Sequence, residues 1–356
     1  MKLNQIAADT LEIHTSKIAA LACADLLASH KDIDERFGNE ADQLWNDHLR
    51  QRLLELAASL KADDHHVFTS GLVWSRSAMQ ARGMTSKDLD LSIKALRTAI
   101  SSRVDENVKK IAIDFIDKAT ESLAKGIPSN MDSRLDAGVA LDRLALQYVQ
   151  TVAAGNARQG IQLVLDDVAQ GTSVADAYLR VLLPAQQEVG RLWHLNQLSV
   201  SEEHLVSYTT QRLMAMLSGM EQPKPDNGLT VIAGSVVGNV HDIGIRAIAY
   251  LLELEGWRTI YLGSDIPQGE LPDAIDTFKA DVLMLSVALT SQLLATSRVI
   301  TAIREQSEQP VKILVGGNGL STDKNLWQQT GADGYATDAN TALKKAYKMA
   351  TGNMDV

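Results

Sequence analysis

The stretch Thr230-Val-Ile-Ala-Gly-Ser-Val-Val-Gly-Asn-Val-His-Asp-Ile-Gly244 sets a short apolar run against a glycine-bounded loop, and the amphipathic segment Ile245–Glu255 follows it. Strand, loop and helix in that order place His241 at the carboxyl end of a parallel strand. In an open α/β sheet that end is where ligands sit. The loop offers one imidazole and two glycines, but neither a phosphate-loop lysine nor a catalytic serine.

Downstream the same rhythm repeats. Apolar runs at Val231–Gly234, Ile260–Leu262, Val282–Ser286, Ile313–Val315 and Tyr335–Thr337 alternate with helical patterns over 245–255, 268–278, 291–307, 323–330 and 340–350. Such alternation predicts a five-stranded, parallel, doubly wound sheet. Gly234-Ser235, Gly263-Ser264, Ser286 and Gly316-Gly317 stand at or near strand ends, so small residues leave a broad trough there.

Upstream the pattern is helical throughout. Apolar residues recur at three and four spacing in Ile6–Leu27, Leu44–Leu60, Leu72–Ala81, Leu89–Ile100 and Val108–Leu123, with Thr85 or Ser86 as a cap. Lys125-Gly-Ile-Pro-Ser-Asn-Met-Asp-Ser133 reads as a linker. Segments Leu135–Ala153, Gln159–Gln170, Ser173–Trp193 and Val200–Met220 then predict an antiparallel four-helix bundle, and Glu221–Gly228, with two prolines, a second linker. The expected domains are 1–128 (helical), 132–220 (bundle) and 228–352 (α/β).

The 356 residues carry a net charge of −10, which disfavours gripping a nucleic-acid backbone. One cysteine, Cys23, excludes an intrachain disulfide and points to a reducing cytoplasm. The N-terminus lacks a signal-peptide core, and no apolar run is long enough to span a membrane.

Asn239-x-His241-x-x-Gly244, then Ser286, then Gly316-Gly317, resembles the cobalamin-binding domain over roughly 228–352, whose pattern is Asp-x-His-x-x-Gly, Ser-x-Leu and Gly-Gly. The resemblance implies a flavodoxin-like (Rossmann-type) sheet, with His241 as the lower cobalt ligand, a suitable role for a neutral imidazole. It further implies that Gly244, Gly316 and Gly317 clear a path for the nucleotide tail and that the Ser286 hydroxyl meets its benzimidazole. Two positions depart from the family. Asn239 replaces its Asp, so an amide oxygen rather than a carboxylate is expected to accept the ring N–H. Ala288 replaces its Leu, although Leu289 follows. Asp242, next to His241, has the wrong spacing for the family's carboxylate.

The bundle carries Trp193-His194 at the end of one helix and Glu203-His204 at the start of the next, with Ser199-Val-Ser-Glu202 as a capping box. This Trp-x9-Glu-His pattern resembles cobalamin-dependent photoreceptors of the CarH/LitR and AerR type. There the bundle covers the upper corrin face. The resemblance implies that Trp193, Glu203 and His204 contact an adenosyl group and that His194 is the upper cobalt ligand after light. The region around His65, His66, Trp74 and Arg76 is similar to bilin-carrying relatives, with Cys23 as a weaker attachment point.

The expected function is therefore an adenosylcobalamin-binding light sensor with no catalytic residue and no DNA-binding module. Its partners would be a second copy, in a light-dependent way, and a regulator or effector protein. The alternatives are a corrinoid protein carrying methyl groups for a methyltransferase system and a light-independent cobalamin sensor.

Overall fold

Strands buried on both faces read as near-continuous apolar runs, as residues 231–234 and 282–285 do in the computed structural model, which describes residues 2–126 and 131–352. Part of the first expected linker, 127–130, lies outside the described residues. The strands are β1 (Thr230–Ser235), β2 (Arg258–Gly263), β3 (Val282–Ser286), β4 (Lys312–Gly316) and β5 (Gly334–Ala336). All pair in parallel, in the order β2-β1-β3-β4-β5. The flavodoxin-like sheet of the sequence reading is thus present.

Register aligns the strand ends. Gly234 pairs with Gly263, Ser235 with Ser286, Ser286 with Gly316, and Gly316 with Ala336. A row of small side chains therefore crosses the carboxyl edge of the sheet. Strand order reverses between β1 and β3, and the crevice at such a switch point is the usual ligand site. The loop bearing His241 leaves β1, and the loop bearing Leu289 leaves β3.

Between strands run α13 (Ile243–Leu254), α14 (Glu270–Phe278) and α15 (Leu293–Gln306), and α16 (Ala339–Thr351) closes the sheet. The helix expected over 323–330 is only a 3₁₀ turn, Leu326–Thr330. Asp323 accepts the Asn325 N–H at 2.7 Å, a local bond that competes with helix formation.

The bundle is built from α8 (Ala140–Ala153), α9 (Ala157–Ala169), a one-turn α10 (Val174–Asp176), α11 (Leu183–His194) and α12 (Val200–Leu217). The first of these starts at Ala140, not Leu135. The single helix expected over Ser173–Trp193 is interrupted by a π-helical turn, Ala177–Leu182. Pro184 is the reason: it has no N–H, and its ring would clash with the carbonyl four residues back in a regular α-helix. Tyr148, Tyr178, Val206, Leu213 and Met214 are fully buried, and their cluster includes Ala247 and Leu251 of α13. The bundle and α13 therefore share one core. The buried phenols are satisfied, Tyr148 against the Thr210 hydroxyl (2.8 Å) and Tyr178 on the Met214 carbonyl (2.6 Å).

The N-terminal region holds α1 (Leu3–Ile13), α2 (Thr15–Ser29), α3 (Lys31–Phe37), α4 (Ala41–Ala62), α5 (His65–Ala81), α6 (Ser86–Arg103) and α7 (Glu106–Ala124). The helix expected over Ile6–Leu27 breaks at His14, beside which the Thr15 hydroxyl takes the Leu11 carbonyl at 2.7 Å. Thr85 caps α6 in a reciprocal pair with Asp88. Buried Arg52 pairs with Glu55 at 2.6 Å, and Gln51 donates to the Ser291 hydroxyl at 2.8 Å. Two compact units result: residues 1–129 with 288–298 and 318–330, and residues 130–287 with 299–317 and 331–356.

Gly317 and Gly244 should respond oppositely to alanine. A Cβ on Gly317 would sit 2.3 Å from the Val287 carbonyl oxygen at a φ of +112°, whereas one on Gly244 meets nothing within 4 Å. Urea unfolding of Gly317→Ala should show a loss of about 3 kcal/mol. Gly244→Ala, early in α13, should instead gain up to about 1 kcal/mol. Equal stabilities would contradict the packing assigned to Gly317.

Candidate functional site

The loop after β1 must leave a buried strand and still satisfy its backbone polar groups. Asn239, fully buried, does most of this. Its amide donates to the Ser286 carbonyl (3.0 Å), and its side-chain oxygen accepts the His241 backbone N–H (3.0 Å). The Asn239 N–H reaches Val236, and its carbonyl accepts from the Asp265 N–H, both at 3.0 Å. Asp265 in turn accepts the Gly238 N–H at 2.7 Å. His241 is thereby presented, exposed, on an anchored loop beside Val240, which is 70% exposed.

One expectation for this loop needs correction. The Asn239 oxygen holds the His241 backbone rather than its ring, because the amide is turned to give its N–H₂ to Ser286. Asp242 has a different occupation from His241: it accepts from Arg246 (2.6 Å) and from the Tyr261 hydroxyl. The Arg246 guanidinium lies 4.9 Å over the Tyr261 ring. Burial and the adjoining carboxylate push the Tyr261 phenol well above its usual range. Asp242, Arg246 and Tyr261 thus tie the start of α13 to β2.

Ser286 is half-buried in the row of small residues. The Ala288 and Leu289 N–H groups both donate to Gln292 Oε1, at 3.0 and 3.1 Å, and Leu289 is exposed. Gly317 lies against Val287, and a Cβ on Gly316 would meet the Ala336 carbonyl at 3.0 Å. Sheet packing by itself therefore calls for glycine at 317 and leaves little room for a side chain at 316. Gly244 faces open space, as a site that must admit a large group requires.

At the bundle end, Trp193 is half-buried and His194 only 3% exposed. Glu203 pairs with the exposed His204 ring at 2.5 Å and accepts from Ser207 at 2.6 Å. Ser199 and Glu202 form the expected capping box. The structure brings Glu203 and His204 together, while His194 is withdrawn from solvent. In the N-terminal region Cys23 is buried, and burial, with Asp42 beside it, pushes its thiol up to about 11. A buried, protonated thiol is a poor nucleophile, which counts against bilin attachment there.

Asp265, Gln292, Arg246 and Tyr261 went unassigned in the sequence. Only Asp265 left a signal there, directly after Gly263-Ser264 at a strand end; Tyr261 reaches Asp242 from another strand, while Arg246 and Gln292 act locally, on Asp242 and on the Ala288-Leu289 backbone.

An open rim of small residues, a free-standing imidazole and an anchored loop fit a large planar metal cofactor whose metal takes an axial imidazole. Comparison with known proteins agrees with that class. Residues 229–344 match the family model described as the B12 binding domain, and residues 144–218 match a second model of the same description. Dimethylamine corrinoid protein 3 of Methanosarcina mazei is 30% identical over 121 residues, which are 33% of this chain and 71% of that protein. The chain belongs to the B12-binding corrinoid protein family. Dimethylamine corrinoid protein 2 of Methanosarcina acetivorans is 30% identical over 124 residues, 34% of this chain. The chain spans 56% of that relative's length. The monomethylamine corrinoid protein of Methanosarcina barkeri shares the fold, with a TM-score of 0.51 and 21% identity over 60% of this chain and 99% of that one. These relatives are corrinoid proteins, and none of them supports the photoreceptor resemblance. Among the described residues no helix is long and apolar enough to cross a membrane.

The Asn239 geometry predicts a pH-dependent phenotype for Asn239→Asp. An ionised carboxylate cannot donate to the Ser286 carbonyl, so the variant should lose about 1–3 kcal/mol at about pH 8. Its folded pKa would be raised, so the penalty should shrink as pH falls toward about 5, where the protonated acid can donate. Urea unfolding at both values checks this; wild-type stability at the higher pH would refute the assigned bond.

Proposed function

We propose that this chain is a corrinoid carrier protein that exchanges methyl groups with partner methyltransferases and is not itself the catalyst. The supporting observation is His241, exposed at the β1–β3 switch point on a loop whose backbone is fixed by Asn239 and Asp265. The named relatives are dimethylamine corrinoid proteins, which favours this reading over light sensing.

His241, Ser286 and the open flank at Gly244 would hold the cofactor from the sheet side, and the end of the bundle bearing Trp193, Glu203 and His204 would face it from above. When bound, the corrinoid supplies a cobalt centre able to accept and donate a methyl group. The chain's own residues supply position. Asn239 and Asp265 fix the loop, so the imidazole is held without further ordering. Asp242, Arg246 and Tyr261 anchor the helix that follows. Asn239 is neutral, so the ligating ring receives no carboxylate partner from this position.

Trp193, Glu203 and His204, gathered at one bundle end, are the one observation that favours light sensing, and the same preparation tests it. Reconstituted with cobalamin, the wild type should bind one equivalent and show an imidazole-ligated absorption spectrum, while His241→Ala should lose that ligation and bind at least about tenfold more weakly. Reduced and methylated protein should pass its methyl to a thiol only when a methyltransferase is added. Adenosylcobalamin-loaded protein that changes elution volume on green light, yet fails to transfer methyl, would overturn the carrier reading in favour of the sensor.

A further inference from the structure

Outside the cofactor domain, Asp64, His65 and His66 form a compact group at the junction of α4 and α5. Their ligand atoms lie within 4.8 Å of one another. The two imidazole rings are 4.2 Å apart at 34°. Asp64 is held in place by its own backbone: its carbonyl accepts from the Ser59 hydroxyl (2.6 Å), and its N–H reaches the Ser59 carbonyl (3.1 Å). One carboxylate oxygen caps α5 by accepting the His66 N–H at 2.9 Å. The second oxygen takes no part in that cap. Asp64 and His65 are half-buried, and His66 is exposed, so the group is both ordered and reachable.

We propose that Asp64, His65 and His66 bind a divalent first-row transition metal, of which zinc is the probe, at a site separate from the corrinoid. Two imidazoles and one carboxylate are the donor set such ions take when a coordination position stays open. Bonds of about 2.0–2.2 Å place the donors of one tetrahedral ion about 3.3 Å apart, so side-chain rotation alone closes the observed group around a metal. The helix is not what attracts the ion, because an α-helix N-terminus repels cations. The attraction comes from Asp64 and from Asp63, whose carboxylate lies on the same turn and accepts from Asn4 of α1 at 2.5 Å. A bound ion would pin the α4–α5 turn of the helical unit and stabilise it by mass action.

The test is a zinc titration of the full-length apo chain against a chromophoric zinc indicator, with no cobalamin present. The wild type should take up one equivalent at this site. Both His65→Ala/His66→Ala and Asp64→Asn should bind at least about tenfold more weakly. Asn caps a helix as well as Asp does, so Asp64→Asn removes the charge while leaving the turn folded, which far-ultraviolet circular dichroism verifies. His204→Ala should bind as the wild type does. No uptake by the wild type, or uptake that neither variant reduces, would mean adventitious binding at other histidines and would overturn the proposal. Because the corrinoid is absent, either outcome leaves the carrier reading untouched.

Discussion

The site rests on one buried amide. Asn239 lies where two parallel strands end side by side, out of reach of water, and every polar atom it brings must find a partner there. Its N–H₂ closes the Ser286 carbonyl, and its oxygen closes the His241 N–H. Those two bonds join the end of β3 to the loop after β1. They let a glycine-flanked loop, which would otherwise fray, hold an imidazole at a fixed place over the switch point. An ionised Asp at this position, where the family pattern has Asp, could make the second bond but not the first. The substitution therefore changes how the loop is held as well as the charge next to the ligand.

A second dependence follows from α13. This helix starts in the loop, is anchored through Asp242, Arg246 and Tyr261, and then buries Ala247 and Leu251 in the core of the bundle. Its two apolar faces serve two layers at once, the sheet and the helices above. The bundle is therefore part of the fold of the cofactor domain, since separating them would expose a continuous apolar cluster. The π-helical turn before Pro184 belongs to the same arrangement, because it sets Tyr178 into that shared core, 6.2 Å from Tyr250 of α13.

Much of this was legible from residue order. Alternating apolar runs and amphipathic helices fixed five strands and their parallel sense, and Asn239-x-His241-x-x-Gly244 marked the loop. The carrier chemistry was present only as the lesser alternative, because Asn239 in place of the family's Asp, and then Trp193-His194 with Glu203-His204, pointed toward sensing. That pattern is local, and spacing along two helices cannot tell what a bundle end faces. His194 illustrates the limit: the sequence offered it as a second cobalt ligand, and its burial, to 3% exposure, could not be read from its place along the helix.

Period and turn chemistry by themselves determined the strands, the loop and the position of His241, because they depend on neighbours within a few residues. Tertiary structure alone decided that Asn239 holds backbone instead of imidazole, that Asp242 belongs to Arg246 and Tyr261, and that Gly317 answers to Val287. The Asn239–Ser286 and Asp242–Tyr261 bonds that fix these roles join residues 47 and 19 positions apart in the chain, and Gly317 meets Val287 of another strand's end. Hydrogen-bond partners at such range are chosen by which groups burial leaves unsatisfied, and that is settled only when the sheet has closed.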